Sequence, residues 1–223
     1  MTDITYLLNG SFSSNSILSG AIPVLVGLVY RRSLTSGQRD VWLLPLWSLL
    51  ANVWNATAFA NSFFDPPSNH PYFSLIAIVQ FTLLARVYRQ QLKQAFGGDH
   101  RRPMIGLFSA IMLAGAIGIH GLMSINTTGL ALMSFSALAF AATYLYQQLQ
   151  TLEVRRLDRD PMFWLTVGVV FYFSGSFLLF ISLGLLSSVL PYNDFHAVFN
   201  IHSGLTLFLN LMYTVALWIR PPR

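Results

Sequence analysis

Every one of the thirteen Lys and Arg residues in this 223-residue chain falls in an alternate gap between uncharged stretches. Arg31, Arg32 and Arg39 lie in the first gap, and Arg86, Arg89, Lys93, Arg101 and Arg102 in the third. Arg155, Arg156 and Arg159 occupy the fifth, and Arg220 and Arg223 the C-terminus. The intervening gaps carry Asp3, Asp65 and Asp194 but no base. Basic residues resist translocation and collect on the cytoplasmic side of a bilayer. The alternation therefore predicts an odd number of crossings, with the N-terminus outside and the C-terminus inside. Each uncharged stretch is long enough to cross a hydrocarbon core of about 30 Å, which takes ~20 residues at 1.5 Å per residue. The expectation is one all-α domain of seven transmembrane helices, over about 12–30, 41–64, 71–90, 103–123, 129–150, 161–187 and 195–219.

With 54% hydrophobic and only 9% charged residues, the chain has too little polar surface to clothe a soluble globule, so the membrane is its solvent. A net charge of +5 would suggest nucleic acid in a soluble chain. Here topology and attraction to anionic inner-leaflet lipid account for it, and no nucleic-acid partner is expected. The absence of Cys excludes disulfides, thiolate metal sites and a Cys nucleophile. Residues 1–10 hold an acid and no base, so a cleavable signal is not expected and the first span serves as insertion signal. The expected location is the inner (plasma) membrane, crossed several times.

Helix ends can be read locally. Asp40 is the expected N-cap of the second span, and Asp160 followed by Pro161 reads as cap and first helical residue of the sixth. The third helix is expected to run on into water as far as Phe96, where Gly97 and Gly98 stop it. Helices in lipid associate through small residues that let backbones approach. Gly106, Ala110, Ala114 and Gly118 in the fourth span, and Gly168, Gly175 and Ser182 in the sixth, are the expected seams. Asp40-Val41-Trp42 against Asp160 to Trp164, and His70 to Phe73 against His196 to Phe199, hint at a three-plus-one-plus-three repeat of the kind found in transporters.

Uncharged polar residues within spans must find a partner or a wet cavity, which makes them the best pointers to function. His196, Asn200, Ser203, Asn210 and Thr214 project within an arc of roughly 80° on the seventh span. Ser48, Asn52, Asn55 and Ser62 share a similarly narrow face of the second, and Gln80 lies in the middle of the third. Two readings stand side by side: an outward-opening polar pocket using Asn52, Asn55, Gln80, His196, Asn200, Ser203 and Asn210, or hydrogen-bonding glue between helices. His70, His120 and His202 lie near outer span ends with His196, but no two histidines share the i, i+4 spacing that sets imidazoles on one face, so no metal is expected. No cofactor is expected beyond lipid contacts. Arg86, Arg89, Lys93, Arg155, Arg156 and Arg159 are candidates for docking a cytoplasmic signalling partner, a larger membrane complex or anionic lipid.

No catalytic constellation emerges. Asp and Glu are missing from the span interiors, so a carboxylate proton relay has no members. Lys93, the only lysine, follows the inner end of the third span and cannot form a mid-membrane Schiff base with retinal. The His-x-x-x-His pair expected of seven-span membrane zinc hydrolases is missing, and the chain is not expected to be an enzyme.

The segment DPMFWLTVGVVFYFSGSFLLF, residues 160–180, together with the basic alternation and the terminal ALWIR, resembles a family of small seven-span proteins of bacteroidete bacteria, itself similar to the seven-span sensory modules fused to bacterial histidine kinases. The resemblance implies an inner-membrane location and a sensing role, with no catalytic residue carried over. The alternative is a small-solute transporter resembling the seven-span sugar-efflux family, with Pro23 and Pro45 as hinges but no Pro-Gln loop motif.

Overall fold

The structure, a computed structural model, describes residues 18–60, 70–114, 127–151, 157–186 and 195–219. Within them the chain is all-helical: α1 (Ala21–Val29), α2 (Ser36–Ala60), α3 (His70–Val87), α4 (Arg89–Phe96), α5 (Arg101–Ala114), α6 (Thr127–Thr151), α7 (Pro161–Leu186) and α8 (Phe195–Trp218), with a 3-10 turn at Leu157–Arg159. Among the described residues, three stretches are long and apolar enough to cross a membrane, Thr127–Gln150, Pro161–Ser182 and Asn200–Trp218. Ser74–Val87 and Arg102–Ala114 are shorter apolar helices. Leu50, Trp54, Leu107, Phe135, Leu178 and Leu211 point outward, exposing apolar surface of the kind that lipid covers and that soluble monomers keep to small patches.

Among the described residues most chain neighbours pack together, but α5 has its seam with α3 and none of comparable extent with α6. Helix α1 packs on α2 and α8, α2 on α3 and α8, α3 on α5 and α6, and α7 lies between α6 and α8. Among the described residues, the α6–α7 and α7–α8 seams are far more extensive than those of α1–α2–α3.

The α7–α8 seam depends on two glycines. A Cβ on Gly168 would sit 2.7 Å from the Met212 Cβ, and one on Gly175 would collide with Leu205. These are two of the three positions expected of the sixth-span seam; the third, Ser182, is exposed. The fourth span is different: the expected seam is corrected at Gly106, Ala110 and Ala114, while Gly118 lies outside the described residues. Gly106 has nothing within 4 Å of a built Cβ, and Ala110 and Ala114 are exposed. The opposite face of α5 is buried instead, through Phe108 and Met112 four residues apart. Phe108 stacks on Phe81 of α3 with centroids 4.0 Å apart, and Phe81 meets Phe140 of α6 at 5.5 Å. Large rings that interlock give more dispersion contact than the small stripe offers.

Helix ends also depart from expectation in two places. Helix α2 starts at Ser36, not near Val41, because Thr35 and Gln38 form a reciprocal capping box: the Gln38 N–H donates to Thr35 Oγ1 at 3.3 Å, and the Thr35 N–H donates to Gln38 Oε1 at 3.2 Å. Asp40 is thereby inside the helix, and its carboxylate accepts from Arg86 of α3 at 2.8 Å. The third helix breaks at Tyr88, yet the hydrogen bonds Tyr88 N–H to Leu84 O and Leu92 N–H to Tyr88 O continue through the break. Gly97 ends α4 with φ of 66°, the left-handed cap expected. Asp160 caps α7 through Met162 N–H at 2.9 Å and also accepts from Tyr144 Oη of α6 at 2.9 Å.

One end of the bundle thus gathers the helix ends that carry the bases. Tyr30 and Trp218 meet edge to face, Gln38 joins α2 to the end of α8, Arg86 joins α3 to α2, and Gln147 Nε2 of α6 donates to Gln91 O of α4 at 2.9 Å. The Arg86–Asp40 pair is half exposed on the arginine side, so it contributes about 0–1 kcal/mol. A double-mutant cycle on Asp40→Asn and Arg86→Gln by thermal melting should return a coupling of that size, shrinking as salt is added.

Candidate functional site

Hydroxyl-bearing residues in a lipid-embedded helix can satisfy themselves by bonding back to their own backbone. Thr82, Ser134, Ser136, Thr143, Thr206 and Thr214 all do so at 2.8–2.9 Å, four residues back. Thr214, placed on the expected polar face of the seventh span, is among them. Its neighbour on that face, Asn210, is buried and donates from Nδ2 to Ser19 Oγ at 2.8 Å, tying α8 to the residues before α1. Ser203 is buried, whereas Asn200, Asn52 and Gln80 are half-buried. The side chains of Asn55, His196 and His70, and all of His120, Arg155 and Arg156, lie outside the described residues.

A second polar array lies between the α3–α4 break, α7 and α8. Thr166, fully buried, donates to Met162 O at 2.7 Å, so its one proton is committed and the Tyr88 phenol, 3.0 Å away, is the donor between them. Some 15 Å along α7, at 1.5 Å per residue, comes Ser176. Between the two is Tyr172, whose phenol lies 3.4 Å from His202 Nε2 on α8, a long contact, with Ser176 and Thr206 as its side-chain neighbours. Tyr213 of α8, almost wholly buried, has the phenols of Tyr172 and Tyr88 as its electrostatic neighbours. His202 Nδ1 and the Tyr213 hydroxyl, about 16 Å apart along α8, are buried with no hydrogen-bond partner, while Ser176 Oγ neighbours the Tyr172 phenol. An unpaired buried donor or acceptor costs roughly 1–3 kcal/mol, so each is poised to gain from a partner.

His202 is thus held by aromatic rings, with Tyr172 and Phe180 centroids at 5.4 and 6.1 Å, and not by carboxylates. Among the described residues no three His, Asp or Glu side chains lie close enough to hold a metal ion. What the array offers chemically is neutral hydrogen bonding from phenol, hydroxyl and imidazole inside an apolar wall.

No family model, curated protein or solved structure matches this chain. The geometry therefore carries the functional reading by itself. Of the residues expected to dock a partner, Arg86 and Arg89 are engaged by Asp40 and Asp99, the latter at 3.0 Å, while Lys93 and Arg159 are exposed. Sequence reasoning missed Tyr88, Tyr172, Tyr213 and Thr166, because tyrosine in a span reads as an interfacial ring. A helical wheel carried the signal: His202, Thr206 and Tyr213 fall within about 40° of one another at 100° per residue.

Proposed function

We propose that this chain is a noncatalytic, receptor-like or accessory protein of the inner membrane, with seven spans, an outer N-terminus and an inner C-terminus, that takes a small polar ligand inside the bundle. Helices α3 and α4 then count as one span and its inner extension. The topology is supported by the gathering of the base-bearing helix ends at one end of the bundle, as the positive-inside rule requires. The ligand reading is carried by the unpartnered His202 Nδ1, buried beside Tyr172 and Ser176 between α7 and α8. A neutral solute with both donors and acceptors suits it, since the array contains no formal charge. The sensing role implied by the resemblance is in keeping with this arrangement.

Thermal-shift screening of the detergent-purified protein against sugars, amino acids and nucleosides tests the reading. A solute at about 100 times its Kd should stabilise the fold by about 2.7 kcal/mol. The rise should vanish in Tyr172→Phe and in His202→Ala while both variants still melt cooperatively. No rise with any of the three solute classes, or a rise indifferent to both variants, would remove the site. Proteoliposomes separate receptor from transporter: binding without flux is expected, and saturable flux of the same solute would replace the receptor reading with a transport one.

A further inference from the structure

At the end of the bundle where the bases gather, Tyr30, Asp158, Arg159, Trp218 and Ile219 line a cleft of about 400 Å³, within the range of small-molecule sites, roughly 300–1,000 Å³. Three elements build it. Tyr30 closes α1, Trp218 and Ile219 close α8, and the 3-10 turn at Leu157–Arg159 lies between α6 and α7. The aromatic wall is ordered, with Tyr30 and Trp218 edge to face at 6.2 Å, although Trp218 remains 64% exposed. The turn is pinned from below, because Trp164 Nε1 donates to Asp158 O at 2.9 Å.

Among the described residues, the charges of the cleft are an unusual pair. Asp158 and Arg159 are adjacent and exposed, and neither side chain has a hydrogen bond or ion pair among the described residues. Arg86 and Arg89, by contrast, have found internal carboxylates. A purely anionic ligand would meet Arg159 but also face the Asp158 carboxylate. A ligand carrying a phosphate and a primary ammonium a few bonds apart answers both: phosphate to the guanidinium fork, ammonium to the carboxylate. Tyrosine and tryptophan at a span end mark the depth of lipid headgroups, where such a ligand is present as a phospholipid.

We propose that this cleft binds the headgroup of a phosphatidylethanolamine from the inner leaflet, with Arg159 on the phosphate, Asp158 on the ammonium and Tyr30 with Trp218 framing the glycerol end. The site is separate from the α7–α8 array and stands or falls independently of any ligand there.

Native mass spectrometry of the whole protein from mixed micelles holding equal phosphatidylethanolamine, phosphatidylcholine and phosphatidylglycerol tests it. One phosphatidylethanolamine per chain should be retained over either competitor by about fivefold, which corresponds to about 1 kcal/mol. Phosphatidylcholine keeps the phosphate but has no ammonium N–H for Asp158, and phosphatidylglycerol has no amine at all. Asp158→Asn should bring the three lipids to parity, and Arg159→Gln should lower retention of all three. Both substitutions fall on an exposed turn, and unchanged melting of each variant confirms that the fold is intact. Equal retention of the three lipids by the unaltered protein, or preference surviving Asp158→Asn, would overturn the assignment. Displacement of the lipid by free O-phosphoethanolamine at comparable concentration would reassign the cleft to a soluble ligand and overturn the lipid proposal too.

Discussion

Gly168→Ala should lower the melting temperature of the purified protein by several degrees, and Gly168→Val should leave little folded protein to measure. The added alanine carbon would sit 2.7 Å from Met212 Cβ and 3.1 Å from Leu209 Cδ1. Met212 Cβ is fixed to the α8 backbone, so no rotamer change relieves the contact and the two helices must separate. Overpacking of this kind costs about 1–3 kcal/mol for a methyl-sized intrusion, and valine adds two further carbons at the same place. The cost is felt fully here because helices in lipid gain little from apolar burial and depend on close packing itself. Gly106→Ala is the matched control. Its new carbon meets nothing within 4 Å, and removing a helix-interior glycine favours the helix by up to about 1 kcal/mol, so that variant should melt at or above the parent. If Gly168→Ala melts with Gly106→Ala, the close α7–α8 approach is wrong.

The contrast between these glycines marks what the sequence could disclose. Spacing alone identified Gly168 and Gly175 as a seam and gave Gly106, Ala110 and Ala114 equal standing, because periodicity reports which residues share a face without saying what that face meets. Only the pairing of Phe108 with Phe81 decides that α5 turns its large side inward. Local chemistry was more legible. The caps at Asp160 and Gly97 depend on residues adjacent in the chain, and both are present. Asp40 was misplaced as a cap because Thr35 and Gln38 form a stronger local motif five residues earlier, which freed the carboxylate for Arg86. The polar face of α8 was read from an arc of Asn and Ser. Of these, Asn210 is a tie to Ser19, while Tyr213 has Tyr172 of α7 and Tyr88 of the α3–α4 break as its electrostatic neighbours, a juxtaposition that no single-span pattern contains.

Gln38→Glu should be the most damaging conservative substitution at the basic end, and its damage should ease as pH falls. Gln38 is 4% exposed and uses all of its polar capacity. Its Oε1 accepts from the Thr35 N–H and hydroxyl, closing the cap of α2, while Nε2 donates to Ala216 O at 3.1 Å and to Ile219 O at 2.7 Å. One side chain therefore terminates two helices: it satisfies an orphan N–H at the start of α2 and orphan carbonyls at the end of α8. A glutamate of the same shape keeps the acceptor but sets a carboxylate oxygen against two carbonyl oxygens, at the negative end of the α8 dipole. Leaving those carbonyls unpaired costs roughly 1–3 kcal/mol, and burying an uncompensated charge adds to it. The sign with pH follows from the protonated acid being the form that can donate again. Folding favours that form, so the carboxyl of the variant is raised in the folded state. Stability is then highest below the ordinary glutamate value of about 4.3 and is lost as pH rises through the higher folded value. Gln38→Leu separates the two effects, since it loses the same donors without a charge and should show no such pH slope. Melting curves of the three proteins across the mildly acidic range decide the matter. A Gln38→Glu variant that melts with the parent at neutral pH would mean that α2 and α8 are not joined through this side chain.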